Sequence, residues 1–286
     1  MLNVFVAGLA IGMVFAAVAL MYNVMYSTSK VLSVTTGHLS MLGGVFGAYV
    51  ISVLHLNWVL GLGASVLVGA AFGWITEFVG VRRILAKSDE HLWLLSTLAL
   101  ATIVQQIIGL WWGTEPKPFP RLIDQDFNAG ALDQKFWLPI VVTLFMAVGL
   151  ELFYKKTMYG KVFMAMSEDP FAARARGIST DQIRQMSYLL SGALGGVSGF
   201  AAGQLTFAYF ALGLTLTLNG FIALAVGGLG SNMGALIGGI ALGLLNAFAS
   251  HWFGGEYQQT LAVGLLLTVL LVKPEGLLGS RKLRPV

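Results

Sequence analysis

The chain has 286 residues, 57% of them hydrophobic and 10% charged, against roughly 25% charged in an ordinary soluble domain. A mean hydropathy of +0.79 and apolar runs near the ~20 residues that cross a bilayer exclude such a domain and indicate a polytopic helical membrane protein. The chain contains no cysteine, which removes disulfides, thiol catalysis and cysteine-ligated metals; its basic residues gather at membrane boundaries, so no nucleic acid is expected as a partner.

Met1 to Tyr26 lacks the basic n-region of a cleaved signal peptide and reads as a retained first span. Spans are expected at about Val4–Met25, Leu32–Leu54, Trp58–Val79, His91–Trp112, Phe136–Phe153, Ile183–Gln204, Leu212–Leu229, Met233–Trp252 and Tyr257–Val272. That is an all-α transmembrane bundle of eight or nine spans, forming one domain over residues 1–286, in which a glycine-rich segment can be broken or re-entrant. The 36 glycines often stand four apart, as in Gly43/Gly47, Gly69/Gly73 and Gly195/Gly199/Gly203, a spacing that lets helix backbones approach closely. The run Gly227-Gly228-Leu229-Gly230-Ser231-Asn232 predicts either a broken helix or a tight hairpin.

Polar residues recur at membrane depth. Ser33, Thr35, Thr36, His38 and Ser40 open the second span, Ser96, Thr97, Gln105 and Gln106 mark the fourth, and Gln204, Asn219 and Asn246 fall in later ones. Unpaired polar groups in hydrocarbon are costly, so these face the bundle interior or a water-filled path. His38, Gln105 and Gln204 each admit both readings, a pathway contact or an interhelical hydrogen bond. Glu77, at the inner end of the third span, is expected as a boundary residue near Arg82 or Arg83.

Lysine and arginine cluster at Arg82, Arg83 and Lys87, across Lys155–Arg184, and from Lys273 to Arg284. The positive-inside rule places all three clusters in the cytoplasm. Gly113–Lys135 carries four acids, three bases and three prolines and is assigned to the outside. Parity then leaves the N-terminus outside and the C-terminus in the cytoplasm.

Inside Lys155–Arg184 a two-turn helix is legible. Asp169 suits the N-cap, Pro170 the first helical position, Phe171–Arg176 the helix, and Gly177 a left-handed C′ residue. Arg174 and Arg176 lie at its C-terminal end, where the helix dipole favours cations. Ser179 followed by Gln182 predicts a capping box at the start of the next span. No catalytic residues, metal site or cofactor are expected: the sequence has no paired carboxylates at depth, no metal-ligand spacing among its four histidines and no nucleophile elbow. Gly160-Lys161 is followed by Val162 and so is not a phosphate loop.

Phe171-Ala172-Ala173-Arg174-Ala175-Arg176-Gly177 resembles the Ala-Ala-x-x-x-Gly core of the coupling loop in permeases of ABC importers, and Ser167 through Ser179 resembles its form in permeases for branched-chain amino acids. Glu77 to Arg83, Gly220 to Gly239 and Tyr257 to Gly279 resemble other segments of that family, in the shorter of its two permease subunits. The resemblance implies a non-enzymatic permease in a bacterial inner membrane. It implies three kinds of partner besides lipid: a homologous second permease, two cytoplasmic ABC ATPase subunits and an extracytoplasmic solute-binding protein.

The resemblance also implies site residues. Glu168, Asp169, Pro170, Phe171, Ala172, Ala173, Arg174, Ala175, Arg176, Gly177 and Ile178 would couple to the ATPase, with Phe171, Ala172, Ala175 and Ile178 as an apolar key. Thr35, Thr36, His38, Ser40, Gln105, Gln204 and Asn219 are the substrate-pathway candidates. Glu115, Asp124 and Asp126 are candidates for docking the binding protein, the other reading of their loop being a cap over the bundle. Three departures stand out: Phe171 replaces the usual acid, Ser187-Tyr188-Leu189-Leu190 stands in place of the motif's downstream Ile-x-Leu-Pro, and Ser33–His38 differs from the family's usual sequence there. The alternatives are a sugar-type importer permease and a stand-alone secondary carrier.

Overall fold

The computed structural model describes residues 1–85, 92–120 and 133–279, which are helical almost throughout. The first helix, α1 (Leu2–Ser29), is apolar on every side and buried without a break from Gly12 to Met25. A helix of this pattern belongs inside a bundle, and α1 is its central post, about 42 Å long at 1.5 Å per residue. It ends at Lys30, whose φ of 57° is left-handed.

Residues 30–35 then run without helix before α2 (Thr36–Ser52). Helix α3 (Trp58–Ile75) passes directly into a π-helical turn, Thr76–Val81, and then α4 (Arg82–Leu85). There follow α5 (Leu92–Trp112), α6 (Gln134–Lys156), α7 (Met158–Glu168), α8 (Pro170–Ala175), α9 (Thr180–Thr206), α10 (Leu212–Gly227), α11 (Asn232–Trp252) and α12 (Gln258–Val272).

Helices α6, α9, α10 and α11 pack around α1, while α2 lies against α9, α3 and α10, and α3 lies along α9. Close approach depends on small residues. At the crossing of α2 and α9, a Cβ on Gly199 would run into the Ser40 carbonyl. Helices α5, α6 and α12 present broad apolar faces outward, including Ile107, Leu110, Phe145, Val148, Leu267 and Leu271, as lipid-facing spans must.

Every one of the nine expected segments is helical, but among the described residues six helices are by themselves long and apolar enough to cross a membrane. Helices α2 and α10 have 17 and 16 residues, and glycine and serine dilute the apolar content of α9. The second span starts at Thr36 instead of Leu32. The preceding residues follow an irregular course, with a turn at Val34 and Thr35, that is served by side chains, as described below.

The glycine-rich run is a hairpin. Gly228 and Gly230 take φ of 107° and 84°, and the Ser231 hydroxyl caps α11 by accepting from the Gly234 N–H at 3.0 Å. Asn23 of α1 holds this turn from both sides, accepting from the Gly230 N–H and donating to the Ser231 carbonyl, each at 3.0 Å. The tail folds back beside it: the Leu277 and Leu278 N–H groups donate to the Val226 and Gly227 carbonyls at 2.8 and 2.9 Å.

One end of the bundle therefore gathers the C-terminus of α1, the α10–α11 hairpin, the tail after α12, and α7–α8. Lys30 donates to the Ser167 carbonyl at 2.8 Å, and Arg82 lies 3.9 Å from Asp181. Arg82, the arginines of α8 and of the first turns of α9, and Lys273 thus share one end.

Candidate functional site

At that end, α8 is built as its sequence indicates. One carboxylate oxygen of Asp169 accepts from the Phe171 and Ala172 N–H groups at 2.9 and 3.1 Å, and Pro170 occupies the first turn. Gly177 takes a φ of 83°, and the Ile178 N–H closes the far end onto the Ala173 carbonyl at 3.2 Å. The helix ends at Ala175 with Arg176 as its C-cap. Ala173 is buried, whereas Ala172, Arg174, Ala175 and Arg176 are exposed and Phe171 is 83% exposed. Glu168 is exposed and Ile178 half-buried. Helix α8 is thus a short helix fixed at both ends that displays an aromatic ring to solvent among small residues and arginines.

Helix α7 supports it and was not foreseen. Thr157 caps it, its hydroxyl accepting from the Gly160 N–H at 2.9 Å, while Phe163 and Met166 bury one face. Its signal was in the sequence: apolar residues at Met158, Val162, Phe163 and Met166 have helical spacing.

Helix α8 is fastened to the start of α9. Arg174 donates from Nη2 to the Thr180 hydroxyl at 2.8 Å. The expected capping box is absent: the Ser179 hydroxyl faces the Gln182 side-chain oxygen, and Ser179 makes no side-chain cap to the backbone. One turn further, Arg184 donates from Nε to Glu77 Oε1 and from Nη2 to Asp181 Oδ1, both at 2.9 Å.

Glu77 is therefore paired with Arg184, not with Arg82 or Arg83, and its side chain is fully buried. It sits on the π-helical turn of α3, where the wider turn changes the direction of a side chain relative to an α-helix. A buried carboxylate needs such a partner, and the sequence could not name one 107 positions away. Ser187 then meets Thr28 of α1, and Tyr188 meets Ser29. The first turns of α9 are thus bonded to α8, α3 and α1 together.

The substrate-pathway candidates occupy three separate places. Thr35, Thr36, His38 and Ser40 are buried at the head of α2. There the Thr217 hydroxyl of α10 accepts from the Gly37 N–H at 3.0 Å and lies 3.0 Å from the Val34 carbonyl, while the Val34 N–H donates to Thr97 of α5 at 3.3 Å. Hydroxyls thereby serve backbone that no helix serves, the condition for irregular chain inside a membrane. The Thr36 hydroxyl donates to the Ser33 carbonyl at 2.7 Å, and His38 Nε2 lies 3.5 Å from Gln105 Oε1. Thr97 and Thr217 complete this cluster.

Gln204 lies elsewhere, donating to the Pro120 carbonyl at 3.0 Å. Asn219 lies in a third place, lining a cavity at the opposite end of the bundle from α8 together with Asn246.

Asp124 and Asp126 fall outside the described residues, and Glu115 is exposed. The described part of their loop caps the bundle: Phe119 is buried edge-on against Phe200 with ring centroids 5.2 Å apart, and Lys117 and Ala208 exchange backbone hydrogen bonds at 2.9 and 3.2 Å.

Residues 4–270 match the family described as branched-chain amino acid transport system / permease component. The chain is 28% identical to the high-affinity branched-chain amino acid transport system permease protein BraD of Pseudomonas aeruginosa, over 98% of this chain and 96% of that protein. It is 26% identical to the corresponding protein LivH of Escherichia coli K12, again over 98% and 96%. A chain of PsaBC from Streptococcus pneumoniae, solved in complex with a Fab, superposes with a TM-score of 0.52 at 15% identity, covering 96% of this chain and 91% of that one. The last likeness is one of fold.

Proposed function

We propose that this chain, which belongs to the branched-chain amino acid transport system permease family, is the shorter permease of an ATP-driven importer in a bacterial inner membrane, with α8 as its coupling helix. The observation that carries this reading is the exposed Phe171 on a helix whose two ends are both fixed, joined through Arg174 and Thr180 to the start of α9. Two cytoplasmic ATPase subunits would hold α8, a homologous permease would complete the membrane unit, and an extracytoplasmic binding protein would deliver the solute. Branched-chain amino acids, which the relatives' names carry, are the leading cargo.

Closure of the ATPase against α8 would pull on α9, and the Arg184–Glu77 pair would pass that movement to α3. A stiff element with two positions is what alternating access requires. Phe171 makes the contact aromatic where related loops have an acid. The orientation follows: α8 and the basic clusters in the cytoplasm, the N-terminus and the Gly113–Lys135 loop outside. Glu115, Asp124 and Asp126 are the residues through which that loop would meet the binding protein.

Reconstitution tests the reading. Vesicles holding this chain with its ATPases, second permease and binding protein should accumulate L-leucine only with ATP inside. Accumulation by the chain alone under an ion gradient would instead establish a secondary carrier.

A further inference from the structure

Between the second half of α6 and the middle of α9 runs an open groove of about 370 Å³, apolar throughout, lined from Val142 to Phe153 on one side and from Leu190 to Val197 on the other. Gly149 lies in it, and an added Cβ there would meet nothing within 4 Å. No contact inside the chain therefore requires that glycine, and its missing side chain deepens the groove. Val142 to Phe153 spans about 16 Å of helix. Spread over that length, about 370 Å³ makes a slot roughly 5 Å wide, against the 10–12 Å of a helix with its side chains. Such a slot admits a hydrocarbon chain and is too narrow for a second helix to enter.

The end nearer α8 carries charge. Phe153 is the last lining residue of α6 there, held edge-on by Phe163 of α7 with ring centroids 5.5 Å apart. Lys156 follows Phe153 by three positions and so stands on the same face of α6. Helix side chains lean toward the N-terminus, which for Lys156 is toward the groove. It is exposed, and among the described residues no carboxylate pairs with it. Lys155 differs: it lies on the opposite face, 2.7 Å from Glu151. Met158 and Tyr159, 77% and 56% exposed, begin α7 at this level, an apolar and an amphipathic side chain suited to the boundary between hydrocarbon and headgroups.

We propose that this groove binds an anionic glycerophospholipid, with one acyl chain in the slot between α6 and α9 and the phosphate at Lys156. Length, width and polarity along the slot match that molecule: hydrocarbon within the membrane, then a cation at its edge. The importer reading contributes the leaflet, the cytoplasmic one, whose surface is negative. The lipid would brace α6 against α9, the two helices that lead into and out of α7 and α8.

A photoactivatable lipid tests the site. The assembled importer is placed in phosphatidylcholine nanodiscs containing phosphatidylglycerol with a diazirine midway along one acyl chain. Irradiation should label peptides covering residues 142–153 and 190–197 in preference to other lipid-facing segments. Unlabelled phosphatidylglycerol should compete about fivefold better than phosphatidylcholine of the same chains, the discrimination expected of one lysine. Lys156→Gln should abolish that preference, while Lys155→Gln, which removes a lysine already paired, should keep it. Gly149→Leu should fill the slot and remove the labelling. No labelling of the two segments, as when a helix of the second permease covers this face, would overturn the inference. So would equal competition by the two lipids, a preference unchanged by Lys156→Gln, or labelling undiminished by Gly149→Leu. Co-purification of the ATPase keeps the two readings apart: retained ATPase with an unlabelled groove rejects the lipid site alone, and a labelled groove in a chain that captures no ATPase rejects the importer reading.

Discussion

Arg184 and Glu77 form a charged pair, Nε to Oε1 at 2.9 Å, between the second turn of α9 and the π-helical turn that ends α3. Arg184 follows the candidate coupling helix by nine positions in sequence, and Glu77 is fully buried. Arg184→Leu should therefore strand a buried carboxylate, at a cost of about 3–5 kcal/mol. Thermal unfolding of the detergent-solubilised protein should show the single variant strongly destabilised and Glu77→Leu/Arg184→Leu largely restored. In the assembled importer, the restored double variant should still couple ATP hydrolysis to uptake less well. A double variant with full coupling would remove the pair from the mechanism.

Asp169 holds two N–H groups at the start of α8. Asp169→Ala should loosen this helix by about 1 kcal/mol, while Asp169→Asn keeps the acceptor. Hydrogen exchange over residues 170–176 should rise in the alanine variant and change little in the asparagine variant, with membrane insertion equal in both.

Thr217 serves an irregular stretch of backbone inside the bundle. Thr217→Val keeps shape but leaves the Gly37 N–H without its acceptor, which should cost about 1–3 kcal/mol. Thr217→Ser should retain most of the stability. The comparison is a pair of unfolding curves in one detergent.

Glycine content predicts tolerance only where helices cross. Gly199→Ala would press a methyl group into the Ser40 carbonyl, backbone against backbone, whereas Gly149→Ala projects into open space. The first should abolish a monodisperse product. The second should be neutral or gain up to about 1 kcal/mol from helix propensity. Equal yields would mean that the α2–α9 crossing is looser than its geometry requires.

What the sequence made legible was local. Asp169, Pro170 and Gly177 announced α8 to within one residue, because caps act over three or four positions. Apolar length marked the spans, and the clustered glycines marked the α10–α11 hairpin. Its long-range partners were not legible. Nothing near Glu77 indicates that its cation is Arg184, and nothing near Thr217 indicates that it closes backbone at Val34 and Gly37. The stretch before α2 is indistinguishable by composition from the span that follows it, because its residues are apolar or small; only the tertiary hydroxyls sustain its irregular course.

The most direct test of the account is the reach of Phe171. With no other thiol in the chain, Phe171→Cys labelled with a maleimide–benzophenone reagent should photocrosslink to an ATPase subunit in the assembled importer, with a yield that changes when ATP is added. Phe171→Asp should release the ATPase while the permease remains in the membrane. An assembled, ATP-driven importer that gives no crosslink from residue 171 and retains its ATPase with Phe171→Asp would contradict the assignment of α8 as the coupling helix.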